Sequence, residues 1–339
     1  MPSGKKENRE SQCVRFCLQC GSLTQSKDNN RTRKVRSARM KKNELVLGRV
    51  HTQPTVPLPE KAYDCHVHIF GPYERYPLTE NRSYTPAQAT VHDLEKHQYI
   101  LGLERVVLVQ PSIYGTDNSC LLNALRVLGP DIARGIAVVD KTTTPETLYE
   151  YKAAGVKGIR LNLSAAGSDI TQSREELRFA KKITNEMEWH LQLFAPYSTL
   201  IALRDELEAL KCQTILDHFA GVTFKPGSGL KTLPELTDLY ANANIIIKLA
   251  APYIVSTDPD HNFFRDLIGS LASINPDRLI WGSNWPHPSG GIGLAEKNAH
   301  SPFRDINDGH IIDTFYDWIG DRDLTRKIFS LNPDKLFNH

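Results

Sequence analysis

Two histidines one residue apart, His66 and His68, close the apolar run at the start of YDCHVHIFGP. Strand side chains alternate faces, so the two imidazoles are expected on one face, about 7 Å apart. The same rule puts Asp64 on that face, one step earlier. A Phe-Gly-Pro turn stops the strand at once. Paired imidazoles at a strand end suit a metal ion or an acyl-transfer centre, since imidazole offers a lone pair and exchanges a proton near neutral pH. An isolated His-x-His serves equally well as a strand cap, so the decision rests on what the rest of the chain brings alongside.

Polar or ionisable groups end most of the later apolar runs as well. Gln110-Pro-Ser112 follows one run and Asp140 the next, and GVKGIRLNL carries Arg160. Further on come Asp217-His218, then Lys248, then WGSNWPHP with Asn284 and His287. An interior lysine paired with a carboxylate is an equal reading for Lys248, and His287, flanked by prolines, is expected to order its loop.

The elements that must position these groups are eight short apolar, β-branched runs, at 62–67, 105–110, 133–139, 158–161, 191–193, 214–216, 245–248 and 279–281. Near-continuous hydrophobicity without alternation marks strands buried on both faces. Helical patterns lie between them, at 91–101, 119–128, 145–154, 173–188, 197–210, 233–241 and 262–274. Eight strands alternating with helices predict an α/β fold, a TIM-like (β/α)₈ barrel over residues 60–339, with its chemistry at the C-terminal strand ends. A doubly wound open sheet is the runner-up, but no Gly-x-Gly-x-x-Gly follows the first strand.

Composition restricts the partners. Residues 1–58 carry 13 Lys and Arg against 4 Asp and Glu, whereas the rest of the 339-residue chain carries 28 against 35. An acidic body without a basic stripe argues against nucleic acid, and no apolar stretch is long enough to predict a membrane span. Residues 1–59 are expected to be a disordered basic leader and linker, with 54–59 extended by its prolines. No secretory signal is evident, and Glu7 and Glu10 argue against a mitochondrial presequence, so a cytoplasmic location is expected. Met40 could be the start of translation. Cys13, Cys17 and Cys20 lack a fourth ligand at zinc-knuckle spacing, and the three body cysteines read as ordinary buried thiols. No pattern specifies an oligomeric state.

The runs DCHVHIFGP, RSYTP, VQPS, YGTDN, RGIAVVD, GVKGIRLN, LDHFAG and WGSNWPHP resemble the amidohydrolase superfamily over residues 60–337. Within it they resemble the amidohydrolase-related branch of the 2-pyrone-4,6-dicarboxylate lactonases. The resemblance implies a distorted (β/α)₈ barrel that opens a cyclic ester without a bound metal. Binuclear members of the superfamily place a bridging carboxylated lysine where this chain has Arg160. His66, His68 and His218 could still hold a single zinc.

Tyr84, Ser112 and Arg160 match substrate-contacting positions. Two further arginines of that branch fall on Ala166 and Ile254 here, and a tyrosine falls on Phe194, which argues against the pyrone dicarboxylate itself. The branch's water-activating aspartate is Asn284, as in the D-galactarolactone isomerases, and a carboxamide has no useful basicity. The expectation is therefore a hydrolase opening a small lactone of a sugar acid or aromatic-degradation intermediate. His66, His68 and Lys248 would face the carbonyl oxygen, His218 would act as base and Asn284 would position the attacking oxygen. Lactone isomerisation, or an inactive barrel retained for binding, are the alternatives.

Overall fold

The computed structural model describes residues 47–49, 51–164, 169–224, 233–257, 262–290 and 300–337. Eight parallel strands follow one another in chain order: β1 (Tyr63–Val67), β2 (Arg105–Val109), β3 (Ala133–Ala137), β4 (Val156–Asn162), β5 (His190–Phe194), β6 (Thr214–Leu216), β7 (Ile245–Ala250) and β8 (Leu279–Gly282). Each expected run is a strand, with ends moved by at most two residues. The ring closes just past β8, where Asn284 N donates to His66 O and His68 N donates to Trp285 O, both at 2.9 Å. Gly282 makes that closure possible, because a Cβ there would lie 2.7 Å from the Cβ of His66.

Helices cover the outside: α1 (Val91–Leu101), α2 (Ser119–Leu128), α3 (Pro145–Ala153), α4 (Ile170–Met187), α5 (Tyr197–Ala202), α6 (Arg204–Glu208), α7 (Pro234–Asn242), α8 (Asn262–Ile274), α9 (Asp308–Ile319), α10 (Arg322–Arg326) and α11 (Asn332–Phe337). Thr90 and Asp93 form a reciprocal capping box at the start of α1, and left-handed Gly102 ends it. Leu177, Ala180, Ile183, Thr184 and Met187 give α4 one buried stripe at helical spacing. The helix expected over 197–210 is two, because fully buried Leu203 leaves helical geometry between them. Trp281 of β8 stacks on Phe329 at 4.9 Å and meets Phe315 of α9, so the C-terminal helices seal the barrel wall.

One register shift changes the reading of β1. Asp64 pairs with Val106 and Val67 with Leu108, so Cys65 and His66 together face Val107. Such a bulge inverts the alternation of side chains beyond it. His66 and His68 keep the barrel mouth, but Asp64 does not share their face as the plain alternation predicted. It points to the helix side, accepting from the backbone N–H groups of His66 (3.0 Å) and Ser283 (2.9 Å) and from the Ser283 hydroxyl.

Residues 51–59 run without regular structure along α9. Thr55 N donates to Asp313 at 2.8 Å, Thr52 bonds Asn307, and Tyr316 donates to Pro57 O. Residues 1–46 and 50 of the expected leader, including Cys13, Cys17 and Cys20, lie outside the described residues. Cys65, Cys120 and Cys212 are free thiols. Among the described residues no helix is long and apolar enough to cross a membrane.

Candidate active site

At the end of β6 the chain enters a left-handed turn through His218, Phe219 and Ala220, with φ of 51°, 55° and 58°. Left-handed backbone costs a non-glycine residue roughly 1–2 kcal/mol, so three in a row need firm support. Gly221 supplies part of it by packing against β5's exit, where a Cβ would lie 2.0 Å from Ala195 O. The turn delivers Asp217 and His218 together into the barrel mouth.

Asp217 is the hub. Arg160 reaches its Oδ2 through Nε at 3.1 Å and Nη2 at 3.0 Å, and Gln192 donates to the same oxygen at 3.0 Å. The Lys248 ammonium lies 3.1 Å from Oδ1. Burial works against the charged carboxylate, but the charges of Lys248 and Arg160 outweigh it and hold the group well below its ordinary range. Two cations on one anion leave this cluster with a net positive charge.

The hydrogen-bond partners assign the imidazoles. Lys248 Nζ contacts Gln192 Oε1 at 2.9 Å and His66 Nδ1 at 3.2 Å. Asp217 Oδ1 lies 3.4 Å from the same nitrogen, but the ammonium is nearer and can only donate, so His66 Nδ1 carries the lone pair and Nε2 the proton. That Nε2 is buried and has no partner among the described residues. His68 Nδ1 faces Val109 O at 2.8 Å and His218 Nδ1 faces Ala250 O at 3.3 Å, and carbonyls only accept. Both rings therefore keep a lone pair on Nε2. Burial, and for His68 the charge of Arg160, lowers the two to about 3 and about 4 respectively, so they are neutral near pH 7. The three rings pack together, His66 centred 4.9 Å from His68 and 5.0 Å from His218.

The Tyr84 hydroxyl bonds Ser112 and feels the charge of Arg160. Burial pushes the Tyr84 hydroxyl up to about 12, against the opposing pull of Arg160 and the Ser112 hydroxyl. Phe194 stacks under the guanidinium at 5.2 Å and touches His218 edge-on. Ile254 is exposed, and Ala166 lies outside the described residues.

Asn284 stands in a left-handed turn just past β8. Its Nδ2 donates to the Tyr253 hydroxyl at 3.1 Å; that hydroxyl meets His287 Nδ1 at 2.9 Å, and His287 Nε2 meets Asp308 at 2.8 Å. His287 thus orders the loop through two side chains.

The expected site residues His66, His68, Tyr84, Ser112, Arg160, His218, Lys248 and Asn284 all lie at this end of the barrel. Of the two readings of Lys248, the structure has the interior lysine paired with a carboxylate: it is fully buried, with its ammonium held by Asp217, Gln192 and His66. Asp217, Gln192 and Tyr253 were not among the expected site residues. Asp217 had a signal, as the neighbour of His218 at a strand end, whereas Gln192 and Tyr253 sit in unremarkable apolar contexts.

The zinc set differs from the expected one. His66, Asp217 and His218 bring ligand atoms within 4.8 Å of one another, without His68. A divalent ion there would share Asp217 with two cations already about a hydrogen bond away. That repulsion in a buried setting makes the donor set a poor fit for a metal.

Known proteins resemble this chain over the barrel. The family model described as amidohydrolase matches residues 63–338. The chain is 29% identical over 281 residues to 4-sulfomuconolactone hydrolase of Hydrogenophaga intermedia, covering 83% of this chain and 89% of the relative. It is 25% identical to D-galactarolactone isomerase of Agrobacterium fabrum, covering 87% and 97%. A crystal structure of a probable 2-pyrone-4,6-dicarboxylic acid hydrolase from Acinetobacter baumannii, with citric acid bound, superposes with a TM-score of 0.66 at 28% identity. That match covers 82% of this chain and all of the other.

Proposed function

The chain belongs to the amidohydrolase family, and on that premise we propose that it hydrolyses a small lactone bearing an anionic substituent, without a metal ion. The observation that carries this reading is the Asp217 cluster, where Arg160 and Lys248 leave a net positive charge among neutral imidazoles. An anionic group on the substrate would complete that charge. Arg160 has Nε and Nη2 on Asp217 and its charge also acts on the Tyr84 hydroxyl, which bonds Ser112, so these three form the anchor. The relative named for sulfomuconolactone acts, by that name, on a lactone carrying an anionic sulfonate.

Lactone opening needs a donor for the carbonyl oxygen and an acceptor for the proton of water. The Nε2–H of His66 is the donor, buried, unpartnered and fixed from behind by Lys248. One preorganised donor of this kind contributes about 3–4 kcal/mol to the transition state. Lys248 is then a positioning residue. His218 Nε2 takes one proton of the attacking water, and the Asn284 amide oxygen accepts its second O–H and so orients it. Water oxygen bonds the carbonyl carbon, the ring C–O bond breaks, and the proton on His218 passes to the departing alkoxide.

A second reading, lactone isomerisation, is supported by Asn284 and by the similarity to D-galactarolactone isomerase. There a substrate hydroxyl replaces water as nucleophile. Turnover in heavy-oxygen water separates the two, because hydrolysis labels the product and isomerisation gives an unlabelled lactone of new ring size. The test of the main reading is a panel of anionic lactones and their neutral analogues. Wild type should favour the anionic members, and Arg160→Met should raise their KM about tenfold or more. Equal KM for charged and neutral partners would sink it.

A further inference from the structure

On the helix side of β1, away from the barrel mouth, His51, His97 and Asp308 converge. His51 comes from the segment preceding the barrel, His97 from α1, and Asp308 opens α9. All three are buried, at 3%, 0% and 0% exposure. Asp308 Oδ2 meets His287 Nε2 at 2.8 Å and lies 3.9 Å from His51 Nδ1 and 3.8 Å from His97 Nδ1, and one ligand atom from each of His51, His97 and Asp308 falls within 4.8 Å of the others. His51 Nδ1, both nitrogens of His97 and Asp308 Oδ1 have no hydrogen-bond partner among the described residues. Each buried orphan of this kind costs roughly 1–3 kcal/mol, so four in one cluster point to an occupant. Asp64 adds negative charge, its Oδ2 3.9 Å from His97 Nε2. Arg49, whose charge also reaches Asp308, directs its guanidinium onto the carbonyls of Phe303 and Arg304.

We propose that His51, His97 and Asp308 bind one divalent first-row transition cation of the zinc class, at a site behind the barrel wall that is linked to the catalytic mouth through His287, Tyr253 and Asn284. Two imidazole nitrogens and a carboxylate oxygen form a donor set of that class. Metal–ligand distances of about 2.0–2.2 Å need the three atoms to close by less than roughly 1 Å. The ion joins the N-terminal segment to α1 and α9, three stretches remote in sequence, so its binding energy adds to folding stability.

The test uses the full-length chain, stripped with chelator and titrated with cobalt(II). Binding is read from visible absorption, metal content after gel filtration and the thermal midpoint. Wild type should take up one equivalent and melt several degrees higher when loaded. His97→Ala and His51→Ala should each weaken binding at least tenfold, while His218→Ala retains it. Should His97→Ala fail to fold, His51→Ala, which lies ahead of the barrel, carries the comparison. No stoichiometric uptake, as for a pocket that holds a buried water, would overturn the proposal. So would an ion that survives both substitutions or disappears in His218→Ala.

Discussion

At the scale of single residues, the site is a division of labour among similar side chains. Three imidazoles within about a ring's width differ only in what their second nitrogen touches. His66 faces an ammonium and is left with an N–H to give, whereas His68 and His218 face carbonyls and are left with lone pairs. Because burial lowers His68 and His218 to about 3 and about 4, both are deprotonated above pH 5. Activity should therefore stay flat from about pH 5.5 to 8 and decline as pH falls toward 4, where His218 gains a proton. Initial rates across a buffer series check this, and an inflection near the ordinary histidine value of about 6.5 would refute it. Asn284 is the other residue-level lever. Because His218 already takes the proton of water in the proposed mechanism, Asn284→Asp should leave lactone hydrolysis within a few-fold of wild type. A gain of about tenfold or more would show that His218 does not serve as the base.

The bulge in β1 governs at the scale of elements. One extra residue sends Asp64 outward and leaves both histidines inward, and Asp64 then clamps His66 and Ser283 across the seam where the barrel closes. Asp64→Ala would leave two backbone N–H groups buried without acceptors. The expected cost is about 2–4 kcal/mol, read as a lower urea midpoint, with a loss of kcat because His66 loses its fixed position. A variant of wild-type stability would show that water replaces the carboxylate. The left-handed turn at 218–221 plays the matching part on the far side of the mouth, aiming Asp217 and His218 together.

For the whole molecule, the segment 51–59 belongs mechanically to the barrel although it precedes the first strand. Its ties run to Asn307, Asp313 and Tyr316, more than 250 residues away in sequence. Asp313→Ala removes the acceptor for Thr55 N and should cost about 0.5–1.5 kcal/mol, seen as a fall of a few degrees in thermal midpoint. An unchanged midpoint would mean the segment contributes nothing to stability.

Several features were legible in the chain itself. Strand burial on both faces writes a continuous apolar run for each strand, so the eightfold alternation showed the barrel. The barrel in turn gathers strand ends, so His66, His68, Arg160, His218 and Asn284 could be placed at one mouth. Their local motifs carried the family likeness. Pairing was not legible. That Asp217 would hold both Arg160 and Lys248, and that a bulge would swing Asp64 away to Ser283, depend on neighbours 31 to 219 residues distant. The same holds for the meeting of His51, His97 and Asp308. A strand's sequence fixes which of its faces is apolar, but the partner of a buried charge is chosen only when the barrel closes and each polar atom must find its counterpart without water.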